Sequence, residues 1–489
     1  MNAAQGEENI VETISGVSNA KGTPSAKEVL TNGPFLLLFA AQFTQNIGAA
    51  VSWLALQFFI YKLTESPGLM GILSIIFFLP YVLFTPFAGV VVDRFDQRKI
   101  MLFSNMLSFL ASVGYIIVYM LRESLIVLIN INGLNYYSVR YILVLLFILT
   151  FINSSAASIF FPARSAYTRL IVKKKNLLIA NSIGSTVFQV ATIIGYVLAG
   201  VIAGRSYLGS FIFDAATFAF SMTMMIFILF VGKKPPEVIR PKEETLRAQI
   251  RGIYDDFVIG VKTIRSAPKI TYMLIVFATA IFSFAAFNVL FIVILQGEMG
   301  LSETWYGALQ AVMGVSGIIT SVTFMVVGRI KRKITMLNIA LIGCSLFLFL
   351  FAIARDVWFI GILLFAFGIF LSMINVSAPT LIQEQIPYEK QGRVFGTQQL
   401  FQGIARIACM GIVSLVAEIY LPKYILFVAA SIMAVVMIWG LIYSSRGEVS
   451  KPDYIEEGEE EEESKTQFSI DKAEAIWDTV KTDISKSDK

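Results

Sequence analysis

Few side chains in this chain are equipped for chemistry. Its 489 residues include no histidine, and its two cysteines, Cys344 and Cys409, both lie inside apolar runs. Imidazole bases, imidazole proton relays and histidine metal sites are therefore excluded, and neither cysteine has metal-ligand or disulfide-framework spacing. With no phosphate loop and no nucleophile–histidine pair, neither an enzyme nor a bound cofactor is expected. Three kinds of candidate remain. The first is a cluster running from Gly89 to Lys99, in which Asp93, Arg94, Asp96, Arg98 and Lys99 crowd into a turn between two apolar runs. The second is a pair of isolated charges, Asp214 and Arg406, each well inside an apolar run. The third is a set of amides, of which Gln42, Gln45 and Asn46 share one helical face with Ala49 and Trp53 at spacings of three and four.

The elements that must hold these residues are membrane helices. The chain is 56% apolar and only 15% charged, against about 25% charged in soluble chains, and its 41 Phe suit a lipid-facing surface. Runs long enough to span, about 20 residues each, fall near 34–61, 69–92, 100–121, 140–163, 176–203 and 207–231. After a charged interruption they resume near 270–296, 305–328, 334–354, 357–381, 395–419 and 422–444. Only helices and closed barrels satisfy their backbone in lipid, and these runs lack strand alternation. Twelve transmembrane helices in an all-α integral membrane protein are expected. Ser124–Val139 is too short to span and reads as a longer loop at the interface. Pro162 and Pro379 read as the ends of the fourth and tenth helices.

A charge at mid-bilayer costs about 2.5–3.5 kcal/mol on insertion scales, so the Gly89–Lys99 cluster belongs at a membrane surface. Basic residues concentrate on that side: Arg94, Arg98 and Lys99, then Arg164, Arg169 and Lys173–Lys175, then Arg329 to Lys333, then Lys390 and Arg393. The opposite loops hold only Lys62, Arg122, Arg140, Arg205, Arg355 and Lys423. The positive-inside rule then puts both termini in the cytoplasm of a multi-pass protein of the cell (inner) membrane. The net charge of +5 follows from this orientation, and nucleic-acid binding is not expected.

The chain divides into a polar cytoplasmic tail (1–33), six helices (34–231), a cytoplasmic linker (232–269), six more helices (270–444) and an acidic cytoplasmic tail (445–489). The first tail has no apolar core, so no cleaved signal peptide is expected. In the linker, Leu246, Ile250, Ile253, Phe257, Val261 and Ile264 mark an amphipathic helix, lying on the membrane surface or packed on protein. In the second tail an acidic run from Glu456 to Glu463 precedes a possible short helix with Ile470, Trp477 and Ile484 on one face. The halves repeat faintly: Gly328–Lys333 echoes the Gly89–Lys99 cluster without its acids. Parallel six-helix repeats are one way to build an alternating-access carrier.

These residues resemble the major facilitator superfamily. Its inner-loop signature Gly-x-x-x-Asp-Arg-x-Gly-Arg-Arg is matched by Gly89, Asp93, Arg94 and Arg98, with Asp96 at the glycine place and Gln97 at the first paired arginine. The variant is similar to the branch of drug:proton antiporters that holds macrolide-efflux proteins and the enterobactin exporter. Phe161–Ala166, Ala180–Ser182, Asp214 with Phe218, and Pro387 with Gly392–Val394 agree with that branch. The antiporter arginine of the fourth helix is missing, its place taken by Thr150, and the fifth helix has Gly195–Tyr196 where antiporters tend to carry Gly-Pro.

The resemblance implies two six-helix bundles and export of a small amphiphilic compound (drug-, macrolide- or siderophore-like) by a monomer, driven by the proton gradient. Uptake or translocation of a nutrient or lysolipid, and a non-transporting sensor that keeps the fold, are the alternatives. Helices 1, 4, 7 and 10 would line a central cavity, which makes Gln42, Gln45, Asn46, Trp53, Asn153, Asn288 and Asn375 its expected wall. Amides that only bridge helices are the competing reading. Asp93 would latch the halves by meeting the N-terminus of helix 11, with Gly89, Arg94, Arg98 and Arg164 in support. Arg406 is either a structural tie or an anion-binding or coupling charge. Asp214 is either a proton carrier or, the weightier reading on a peripheral helix, structural.

Overall fold

Helix starts are written into the chain as caps and prolines. In the computed structural model, which describes residues 26–130, 135–173, 176–234, 258–327, 333–386 and 388–445, Asn32 accepts from the Phe35 amide to open α1 (Gly33–Thr64). Ser66 accepts from Leu69 N ahead of Pro67 to open α2 (Pro67–Arg94). Side-chain oxygens at N-caps satisfy amides that a helix start leaves orphaned. α3 (Gln97–Asn130), α4 (Asn135–Ile171), α5 (Leu177–Ala203) and α6 (Tyr207–Val231, capped by Ser206) complete the first half. The second half holds α7 (Pro268–Ile292, running on as a π-turn over Val293–Glu298), α8 (Glu303–Val327), α9 (Lys333–Ile353), α10 (Val357–Gln385, capped by Asp356), α11 (Tyr388–Val416) and α12 (Pro422–Ser445). A short helix, Ala26–Leu30, precedes α1. All twelve are long and apolar enough to cross a membrane.

Three expectations need correction. Ser124–Val139 is not an interfacial loop: α3 runs on to Asn130 and α4 begins at Asn135, so most of it extends the two helices. Pro162 and Pro379 do not end their helices, since α4 continues to Ile171 and α10 to Gln385. Proline removes one backbone bond, but inside a bundle neighbouring groups take up the freed carbonyl and the helix goes on. The expected amphipathic linker lies outside the described residues up to 257; from there 258–266 is helical, with Ile264 buried. Gly328–Arg332, residues 1–25 of the first tail and residues 446–489 of the second also lie outside them.

Within the first half α1 packs on α5 and α6, α3 on α4 and α6, and α2 on α4. Within the second, α7 packs on α11 and α12, α8 on α10, and α9 on α10 and α12. Between the halves α2 meets α11 and α5 meets α8. The outward faces are apolar, as with Leu110, Leu346, Ile362 and Val435. In water such a surface would be a liability; against lipid tails it is the solvated face. We call the end of the bundle carrying Phe95–Asp96, Val172–Lys173 and Ile386 the basic-loop end.

Candidate functional site

α1, α2, α4, α7 and α11 together enclose a central cavity of about 1210 Å³. Gln45, Asn46 and Trp53 of α1, Asn153 of α4 and Asn288 of α7 line it, as the spacing on those helices suggested. Gln42 and Asn375 do not. Gln42 sits one turn nearer the basic-loop end, beside Arg164 and Asn181 in a minor cleft, and its buried Nε2 has no partner. Asn375 continues the stripe of Gly368 and Ser372 that meets α8, and it is exposed away from the cavity lining. Residues on α2, α5, α8 and α11 complete the wall, notably Phe77, Phe78 and Tyr81, Tyr196, Gln310, and Arg406. The Phe77–Phe78–Tyr81 cluster was readable as an aromatic stripe in the second run; which way it faced was not.

Some of the amides are tied to other helices. Ser221 of α6 donates to Gln45 Oε1 at 2.9 Å and receives from Asn105 Nδ2 of α3 at 2.8 Å, so Gln45 borders the cavity and bridges three helices. Asn288 donates back to the Phe284 carbonyl at 2.9 Å. Thr150, at the place of the missing arginine, receives from Tyr115 OH at 3.1 Å, and neighbouring Ser154 has a buried hydroxyl without a partner on the cavity wall.

Asp214 is fully buried between α1, α3 and α6 and is not part of the cavity lining. Its Oδ2 receives from Ser112 Oγ at 2.6 Å. Its Oδ1 faces Gly48 of α1, where a Cβ would come within 3.1 Å of it and within 1.8 Å of Thr217 Oγ1. Only glycine lets α1 approach α6 this closely.

At the basic-loop end, Asp96 caps α3 through the Arg98 amide (2.9 Å) and grips the Arg98 side chain through both oxygens (3.1 and 2.7 Å). Arg98 Nη1 then reaches the Leu229 and Gly232 carbonyls at the end of α6, each at 3.2 Å. Arg98 is thus a buried tie within the first half, from the start of α3 to the end of α6. Burial alone would raise the Asp96 carboxyl, but the Arg98 side-chain and backbone hydrogen bonds, with the charges of Arg98 and Lys99, outweigh it and hold it below the ordinary carboxylate value. Gly89, Asp93 and Arg94 fall in the last turns of α2; the side chains of Asp93, Arg94 and Arg393 lie outside the described residues. Arg164 lies over the Phe161 ring at 5.5 Å.

The hydrogen bonds described between the halves gather at the opposite end. Glu418, beyond the C-terminus of α11, receives from Ser66 Oγ and from Gly68 N (3.0 Å), capping the N-terminus of α2, while Ser414 donates to the Gly68 carbonyl at 2.5 Å. Tyr207 donates to Glu303 at 2.8 Å, and Thr304 to the Gly200 carbonyl at 3.2 Å. Glycines permit the α5–α8 crossing: a Cβ on Gly307 would stand 2.5 Å from the Tyr196 carbonyl. Sequence reading passed over Glu418, since one acid past a helix end gives no hint of a helix start more than 300 residues away pointing at it. From these contacts the cavity lining runs toward the basic-loop end as far as Pro162 on α4 and Gly396 on α11.

Comparison with known proteins agrees with this architecture. A bacterial homologue of the iron transporter ferroportin, solved in its inward-facing state, superposes with a TM-score of 0.65 at 15% identity, covering 84% of this chain and 98% of that one. An uncharacterised transporter of this fold class, YfiS of Bacillus subtilis, is 25% identical over 399 residues, covering 78% of this chain and 86% of its own. Macrolide efflux protein A of Streptococcus pyogenes is 32% identical over 83 residues, covering 17% of this chain and 20% of its own. The sequence profile of the Major Facilitator Superfamily matches residues 38–410. With twelve spans, two six-helix bundles and a cavity between them, this multi-pass membrane protein belongs to the Major Facilitator Superfamily of transporters.

Proposed function

We propose that the protein exports a small amphiphilic compound by alternating access, with the basic-loop end in the cytoplasm and the proton gradient as energy source. The observation carrying this reading is the asymmetry of the cavity. The contacts between the halves close one end, while the lining extends toward the other. That is the arrangement a carrier needs when it loads from the basic-loop side. In the other half of the cycle Asp93 would take the place of Glu418, each carboxylate meeting the N-terminal dipole of the facing helix, α11 or α2. Wall amides and aromatics would bind cargo largely by apolar contact with a few orienting hydrogen bonds. The partial likeness to a macrolide efflux protein supports export over uptake.

Reconstituted vesicles loaded with a panel of amphiphiles test the reading. Flux should depend on the protein, run outward from the basic-loop side and rise with an imposed pH gradient, with sodium exchange having no effect. Flux indifferent to both ions would defeat the antiport mechanism, and absence of flux for every compound would favour a sensor.

A further inference from the structure

Arg406 occupies a costly position. It lies on α11 in the cavity wall, with its guanidinium over the Phe78 ring at 4.5 Å from the centroid. No hydrogen bond or ion pair reaches it from any described residue. Stacking on a ring engages the face of the guanidinium and leaves its five in-plane N–H donors unused. Arg406 is partly exposed to the cavity, and arginine does not shed its proton inside proteins, so an oxyanion entering the cavity meets a permanent cation with free donors.

No described residue supplies such an anion. Among the described residues lining the cavity none is acidic. Asp214 is outside the lining and turned to Ser112, Glu418 is spent on the start of α2, and Glu303 is held by Tyr207. The Phe78 ring under Arg406 packs on Phe77, and Phe77 on Trp53; on α11 itself Gln402 and Met410 stand one turn to either side in the same lining. The cavity therefore presents one forked cation, stacked on aromatic rings, in a wall of neutral amides and apolar side chains.

We infer that Arg406 is the anion-binding residue of the cavity, and that the cargo is an anionic amphiphile: a carboxylate or phosphate head on an apolar body. The inference rests on the cavity being the transport site and narrows its cargo. Carboxylates and phosphates match the guanidinium fork bidentately. Organic cations find no counter-charge there and meet a positive potential. The oxyanion could belong to a lysolipid headgroup or to a soluble compound, and the two are separable by competition.

The test uses the full chain in detergent and three probes sharing one chain: dansylaminoundecanoate, its methyl ester and its trimethylammonium analogue. Binding is read by energy transfer from tryptophan, Trp53 being in the wall. The carboxylate should bind about ten- to hundredfold more tightly than the other two, the range expected for charge-assisted hydrogen bonds. Arg406→Gln should remove that preference while leaving ester binding intact, and Arg406→Lys should restore part of it. Displacement by lysophosphatidic acid ahead of naphthyl phosphate would identify a lipid head, and the reverse order a soluble anion. Equal binding of carboxylate and ester by the unmodified protein overturns the inference, and that comparison stands even if Arg406→Gln fails to fold. In proteoliposomes, charge-selective binding without flux would defeat the transport reading and leave the anion site standing. Flux without charge preference would do the opposite.

Discussion

Asp96 stands where the family signature has glycine, and its geometry explains the exchange. One carboxylate caps α3 and orients Arg98 toward the end of α6, work that glycine leaves to solvent. Its carboxyl is held below the ordinary value, so its contribution to stability is fully present above the unfolded value near 4 and is lost as pH falls through the lower folded one. Asp96→Asn should therefore lower thermal stability at neutral pH and flatten the acid limb of the stability profile, as read by thermal unfolding in detergent. Asp214 has a different task. It is buried away from the cavity, and its bond with Ser112 joins α3 to α6. Asp214→Asn, which keeps the shape, should transport with unchanged rate and pH dependence. A lost pH response at matched abundance would instead make it the proton carrier.

At the scale of elements, α2 and α11 form one mechanical pair. Glu418 meets the start of α2, and Ser414 meets the Gly68 carbonyl one turn along. A carboxylate at a helix N-terminus stabilises by about 0.3–1 kcal/mol when exposed. Glu418→Gln should weaken this closure and shift the population several-fold toward opening at that end. Distances between spin labels on α2 and α11, measured with and without cargo, would register the shift; unchanged distributions would show that the α5–α8 contacts hold the end unaided. Gly307 and Gly200 make that second crossing close enough to be a rival.

For the whole molecule, alternating access requires that closing one end compete with closing the other. Among the described residues the hydrogen bonds between the halves lie at one end; the proposed cycle gives closure of the other end to residues around Asp93 and the start of α11. Asp93→Asn should insert and accumulate normally yet export several-fold more slowly, measured as flux at matched membrane abundance. Equal flux would remove Asp93 from the mechanism. The degenerate repeat at Gly328–Lys333 has no acid at the matching place.

Span number and the sidedness of basic charge were legible in the chain itself, and most helix starts to within a few residues, those of α4 and α11 excepted. They depend on local quantities: run length against bilayer thickness, a cap residue beside a proline, and loop charge. The face shared by Gln45, Asn46 and Trp53 was legible too, because helical period is local. Which helix each face met was not. Gln42 shares that stripe and still falls outside the cavity, Asn375 is exposed away from the lining, and Glu418 finds its partner across the molecule. The solitude of Arg406 also needed the tertiary structure, since a charge is unpaired only with respect to everything packed around it. Period and composition act over a few residues, whereas partners and cavities are settled by packing between helices distant in the chain.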